Sequence, residues 1–303
     1  MTQAVRAEEE IDGMRLLQRL SGVLVETLLL FDEPEEGLET TIAFLEDLLE
    51  TPPESGALSE QALPPPWVLD YETEQGRGLA RQLFEEWLDC AYEFHQIVVA
   101  LTHQIILQME QDGQPRAETF RLFVECTVRA LGYEIAAQEL CDIVIEKKIA
   151  GEGWSLPESV SALSAVAGRC VALSQNACTL FAIPSLPDKL DQIAYVMTQE
   201  ATRLGIPAGS DWRFGLAAND TPADAPYDLI FGLTPHCRAF FKAIRMGNLM
   251  DQAVACAKAA GRMLAIAAGG EEPDLEPVIA KPLAMMAMTE TYRTVCGREM
   301  AVM

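Results

Sequence analysis

The chain has 303 residues, half of them hydrophobic and 22% charged, a composition that suits a folded globular protein and excludes the disordered and fibrous classes. Its formal net charge is −24, from 22 Lys and Arg against 46 Asp and Glu, and the acid excess is uneven: residues 1–93 hold 22 acids and 5 bases, and no lysine precedes Lys147. That field repels nucleic-acid phosphate and anionic lipid, which bind through clustered cations, and it attracts a basic protein surface.

Residues 8–31 place Leu17, Leu20, Leu24, Leu28 and Phe31 at spacings of three and four, one apolar helical face. Pro34 and Gly37 break the pattern. Leu38, Ile42, Leu45 and Leu49 then resume it opposite Glu39, Glu46, Asp47 and Glu50, so residues 1–50 are expected to form an acidic helical hairpin. Five prolines across 51–66 allow no regular element there, because proline fixes φ and lacks a backbone donor; this stretch is read as a linker to a main helical domain over 67–303.

Within that domain the pattern predicts one long helix over 75–112, then a helix over 116–131 that Gly132 caps, and a third over 134–150 that ends at Gly151-Glu152-Gly153. Pro157 opens the next helix in its first turn, with the pattern running to 183. Another helix ends near Leu204. Residues 205–228, rich in Gly, Pro, Asn and Asp, make an internal loop of a length that is usually functional in a compact domain. Residues 229–233 are a short strand or a helical turn. Thr234 and Pro235 read as N-cap and first helical residue of a helix over 235–246. The last two helices are expected over 248–268 and 282–295. The sum is an all-α, globular bundle of about ten helices, with no internal repeat.

Three constellations stand out. Ala253, Ala257, Gly261, Ala265 and Gly269 recur every four residues, a small-residue column that lets a second helix approach closely, either inside the chain or as the seam of a homo-oligomer. Arg238, Lys242 and Arg245 share one face at i, i+4 and i+7, and Lys258 and Arg262 repeat the spacing one helix later. Such cations either hold a phosphate or carboxylate or satisfy acids elsewhere in the fold. In the long loop, Trp212, Arg213 and Phe214 combine aromatic and guanidinium groups that anchor interfaces or line pockets, or that pin the loop to the core.

The eight cysteines form no CxxC pair and lie among apolar neighbours, which points to reduced thiols in the cytoplasm rather than a zinc site or disulfide framework. The acidic start, with no basic region before an apolar stretch, is not expected to act as a signal peptide, and no apolar run reaches membrane-spanning length. Cys237, beside His236 at an expected helix N-terminus, comes nearest to a reactive thiol, but adjacent helical residues diverge. His95 and His103 lack the Glu-x-x-His partners of a helical di-iron site. No phosphate-binding loop, nucleophile elbow or metalloprotease signature is present, so no catalytic residue, metal or cofactor is assigned. The expectation is a non-catalytic helical interaction protein that docks a protein partner with a basic surface and binds neither nucleic acid nor membrane. The alternative is a helical enzyme or small-anion or metabolite binder, with a pocket between loop 205–228 and the basic face of helix 235–246.

Overall fold

The structure is a computed structural model that describes residues 21–22, 24–25, 28–29, 34–50, 106, 110, 113, 115–174, 188–206, 226–269 and 273–301. Helix is the only regular secondary structure among these residues, 88% of which are helical, with seven main α-helices and no strand. Helix α1 is Pro34–Glu50, α2 Arg116–Ile143, α3 Leu156–Ser174, α4 Asp188–Arg203, α5 Pro226–Ala243, α6 Leu249–Ala268 and α7 Pro277–Ala301. The chain divides into two compact units, Met1–Gly132 and Tyr133–Met303.

In the first unit, α1 begins on Pro34, a position where the missing N–H costs nothing. Leu38 and Thr41 are buried, and Thr41 Oγ1 donates to the Gly37 carbonyl at 2.9 Å. Gly37 lies inside this helix rather than before it, and a side chain there would come within 2.8 Å of Leu28 Cδ2, so glycine leaves room for the buried leucine. The linker 51–66 and the helix expected over 75–112 lie almost wholly outside the described residues, the linker entirely so.

The predicted break at Gly132 is absent: α2 runs through it. Gly113, Gly153 and Gly205 take the left-handed conformation of a helix-ending glycine, and Gly132 does not. A glycine inside a helix costs only about 1 kcal/mol relative to alanine, less than an interrupted hydrogen-bond ladder in good helix-forming sequence. After Ile143 the backbone widens into a π-helical turn, Val144–Ile149, and a last turn, Ala150–Glu152, before Gly153 at φ 77° ends the element. The extra residue carried by a π turn places Val144 and Lys148 inward. Lys148 donates to Glu152 Oε1 at 2.6 Å and lies 5.2 Å from the Trp154 ring centroid, which keeps the buried ammonium paired.

Helix α3 is the axis of the second unit. Thirteen of its 19 residues are buried, the pattern of a helix with neighbours on every side. It starts with a reciprocal cap: Glu158 N–H donates to Ser155 Oγ at 3.3 Å, and Ser155 N–H donates to Glu158 Oε2 at 2.7 Å. Pro157 stands in that first turn, as the sequence requires. The described part ends at Ser174; residues 175–187 lie outside it. α3 packs most extensively on α6 and α7, then on α5. At Gly168 an added Cβ would collide with the Met288 backbone carbonyl of α7, so the two helices cross at a point only glycine allows.

Two further boundaries differ from expectation, and both involve proline. Thr234 and Pro235 lie in the middle of α5, which begins at Pro226, and Pro282 lies inside α7, which begins at Pro277. An internal proline deletes one ladder hydrogen bond and crowds the carbonyl four residues back, roughly 3 kcal/mol. In α5 the buried face formed by Leu229, Ile230, Leu233, Cys237 and Phe241 continues across Pro235, and in α7 Leu283, Ala284, Ala287 and Met288 continue past Pro282. Burial of those side chains, at about 1.5–3 kcal/mol for each large one, outweighs the local penalty.

Candidate interaction site

The five late cations that share a spacing in sequence divide into two groups. Lys258 and Arg262 on α6 are absorbed into an ionic cluster with Glu134 of α2 and with Glu200 and Arg203 of α4. Lys258 Nζ donates to Glu134 Oε1 at 2.5 Å and to Glu200 Oε2 at 3.1 Å. Arg262 Nε donates to Glu200 Oε1 at 2.8 Å, its Nη2 to Glu134, and its Nη1 to Gln138 Oε1 at 3.1 Å. Arg203 Nη2 closes the set on Glu200 Oε1 at 2.6 Å. The Glu200 side chain is 1% exposed. Burial alone would raise its carboxyl, but hydrogen bonding by Arg203, the charge of Lys258 and Arg203, and the Arg262 hydrogen bond outweigh it and hold the group at about 2.

The small-residue column explains how that cluster closes. At Gly261 a Cβ would lie 2.5 Å from the Met197 carbonyl oxygen and 2.8 Å from Glu200 Cβ, so α4 passes directly over this glycine and brings Glu200 between Lys258 and Arg262. Ala253 and Ala257 are buried, Ala265 is partly buried, and Gly269 stands at the C-cap in extended conformation, φ −88°.

Arg238, Lys242 and Arg245 are all exposed, and among the described residues none makes an ion pair. They do not form one continuous helical stripe. α5 stops at Ala243, and Arg245 takes φ 57°, the left-handed conformation that glycine usually supplies at this point. The chain reverses there as Met246 N–H donates to the Phe241 carbonyl at 2.9 Å and Arg245 N–H to that of Lys242 at 3.3 Å. Arg238 and Lys242 therefore lie on the helix face, and Arg245 turns the corner at its C-terminal end, where positive charge is favoured by the helix dipole. Phe231, 62% exposed, and the exposed Pro235 occupy the same face as Arg238 and Lys242, at i, i+4, i+7 and i+11.

The first unit offers the opposite sign. Glu35, Glu36, Glu39 and Glu46 on α1 are exposed, and none makes an ion pair among the described residues. Glu35, Glu39 and Glu46 share one face at i, i+4 and i+11, with exposed Ala43 between. The cations near the start of α2 behave otherwise: Arg116 pairs with Glu110 at 2.7 Å and Arg121 with Glu118 at 2.6 Å.

Cys237 is buried in the middle of α5, since the helix begins eleven residues earlier, and no helix N-terminus acts on it. Three other buried cysteines are unsuited to nucleophilic work: burial pushes Cys141 and Cys170 up to about 12, and hydrogen bonding to Cys237 followed by burial pushes Cys256 upward. Among the described residues no group of three or more His, Cys, Asp or Glu side chains could hold a metal ion, and no helix is long and apolar enough to cross a membrane. Trp212, Arg213, Phe214, His95 and His103 lie outside the described residues.

Glu134, Glu200 and Arg203 escaped the sequence reading because their partners stand up to 128 residues away, and no local spacing signals such a contact. The Ser155-x-x-Glu158 cap, by contrast, was present as a recognisable local signature. Comparison with family models, curated proteins and solved structures finds no match to this chain.

Proposed function

We propose that the chain is a non-catalytic helical interaction protein, an adaptor, assembly factor or structural subunit of the cytoplasm, that engages a protein partner through surface charge. The observation that carries this reading is the presence of exposed charges of one sign on α1, unpaired among the described residues: Glu35, Glu39 and Glu46 on one face with Glu36 beside it, within a segment whose net charge is strongly negative. Unneutralised surface charge steers and orients association, and a basic surface is the complement of this field. In this reading residues 1–50 form an acidic helical hairpin that presents α1 outward.

The test compares wild-type bait with a Glu35→Lys/Glu36→Lys/Glu39→Lys/Glu46→Lys variant in pull-downs from source lysate at low and high salt. A defined basic protein retained by wild type at low salt, released at high salt and lost from the variant is the expected result. Equal retention by both baits, or no basic protein at all, overturns the proposal.

The three exposed cations of the α5 end favour a second reading, a small-anion or metabolite binder or helical enzyme that uses Arg238, Lys242 and Arg245 with loop residues 205–228. An Arg238→Glu/Arg245→Glu variant that folds but loses a co-purifying anionic ligand would support it; ligand retention unchanged by the double substitution removes it.

A further inference from the structure

From the two opposed charged faces we infer that this chain docks on a second copy of itself, the acidic face of α1 in one copy against the basic face of α5 in another. The inference rests on the reading of α1 as a docking face and adds the surface that receives it.

Charge complementarity names the occupant. Glu35 and Glu39 on α1 stand one turn apart, as do Arg238 and Lys242 on α5, so both faces present charges about 6 Å apart along the helix axis. All four are exposed, and among the described residues none is paired. Arg245 adds a third exposed cation at the end of α5. The remainder of the α5 face is suited to contact as well. Phe231 places an exposed aromatic ring one turn from Pro235 and two turns from Arg238, and exposed Ala43 leaves α1 low between its glutamates, so two helices can approach closely.

The whole-molecule charge of −24 opposes any self-association, which gives the contact a distinctive salt response. At about 0.01 M salt the Debye length is about 30 Å and repulsion between whole copies dominates. Near 0.15 M it falls to about 8 Å, so distant charges are screened while close pairs persist, and at 1 M the pairs are screened too. Self-association therefore passes through a maximum at intermediate salt, unlike a contact driven by apolar burial, which strengthens steadily.

The experiment is sedimentation velocity on the full chain in three forms: wild type, an Arg238→Glu/Lys242→Glu variant and a Glu35→Arg/Glu39→Arg variant, each checked for an unchanged far-ultraviolet circular dichroism spectrum and melting temperature. Wild type is expected to form dimers or larger species near 0.15 M salt and to lose them at 1 M. Each variant alone is expected to associate at least about tenfold more weakly. A 1:1 mixture of the two variants restores association, because the acidic α1 of one meets the native α5 of the other while the two reversed faces pair in turn. A wild-type chain that stays monomeric up to about 0.1 mM, a variant that assembles as wild type does, or a mixture that fails to heal overturns the inference. None of these results alters the capture of a basic partner by α1, which the pull-down reads separately.

Discussion

Helices α5 and α6 follow one another in the chain, and each carries two cations four residues apart: Arg238 and Lys242 on the first, Lys258 and Arg262 on the second. The first pair is exposed and unpaired among the described residues, whereas the second is enclosed with Glu134 and Glu200. Equal spacing guarantees only that two side chains share a face. What that face meets is decided by the neighbouring helix, and here the deciding feature is Gly261, which lets α4 come close enough to deliver Glu200. A cation in such a cluster is neutralised within the fold, and one on an open face is not.

The most forceful way to break the contrast is to remove the hub of the enclosed side. Glu200→Gln leaves Arg203, Lys258 and Arg262 sharing one carboxylate in a largely buried site, and a loss of roughly 3–5 kcal/mol is expected in urea unfolding. The same group sets an acid limit. Its folded value of about 2 lies below its ordinary value of 4.5, so its stabilisation is complete above pH 4.5 and is lost as pH falls from there through 2, on the order of 3 kcal/mol in all. Urea midpoints measured across that interval should fall for wild type and stay flatter for Glu200→Gln.

A backbone test sharpens the comparison further. Gly261→Ala drives a methyl group against the Met197 carbonyl and Glu200 Cβ, and should cost about 1–3 kcal/mol by pushing α4 off the cluster. Gly132→Ala, in a helix interior with nothing within 4 Å of the new methyl, should instead stabilise by roughly 0.5–1 kcal/mol. On the open side, Arg245→Gly should raise stability by about 1 kcal/mol by relieving the left-handed arginine, and should weaken self-association in the same preparation. The smallest effect belongs to Arg238→Glu/Lys242→Glu: exposed, and unpaired among the described residues, these side chains should change the unfolding free energy by less than about 0.5 kcal/mol each, which separates their role from that of Lys258 and Arg262.

Much of the helical layout was legible in the residues. α4 ends within a few residues of its predicted position and α6 both begins and ends so, because apolar periodicity and the Asn248 cap, whose Oδ1 accepts the Met250 N–H at 2.8 Å, act over one or two turns. The misplaced boundaries share one cause. Gly132, Pro235 and Pro282 are local breakers, and each is overridden because an apolar face continues on both sides of it. The periodicity of Leu229, Leu233, Cys237 and Phe241 was itself visible across Pro235, and weighing it against the proline penalty would have joined the two segments. The candidate site was half legible: spacing found all five cations, but it could not sort them.

Composition and periodicity alone determined the helical class and the strongly acidic charge, since both depend on residue type and on neighbours within a turn. They also marked the cations and small residues of the later helices as special. Tertiary structure decided which charges are consumed, where α4 crosses α6, and that Cys237 lies in the core. Those outcomes depend on side chains brought together from positions about 60 to 128 residues apart, and the energy of such a contact is set by burial and geometry that no local spacing encodes.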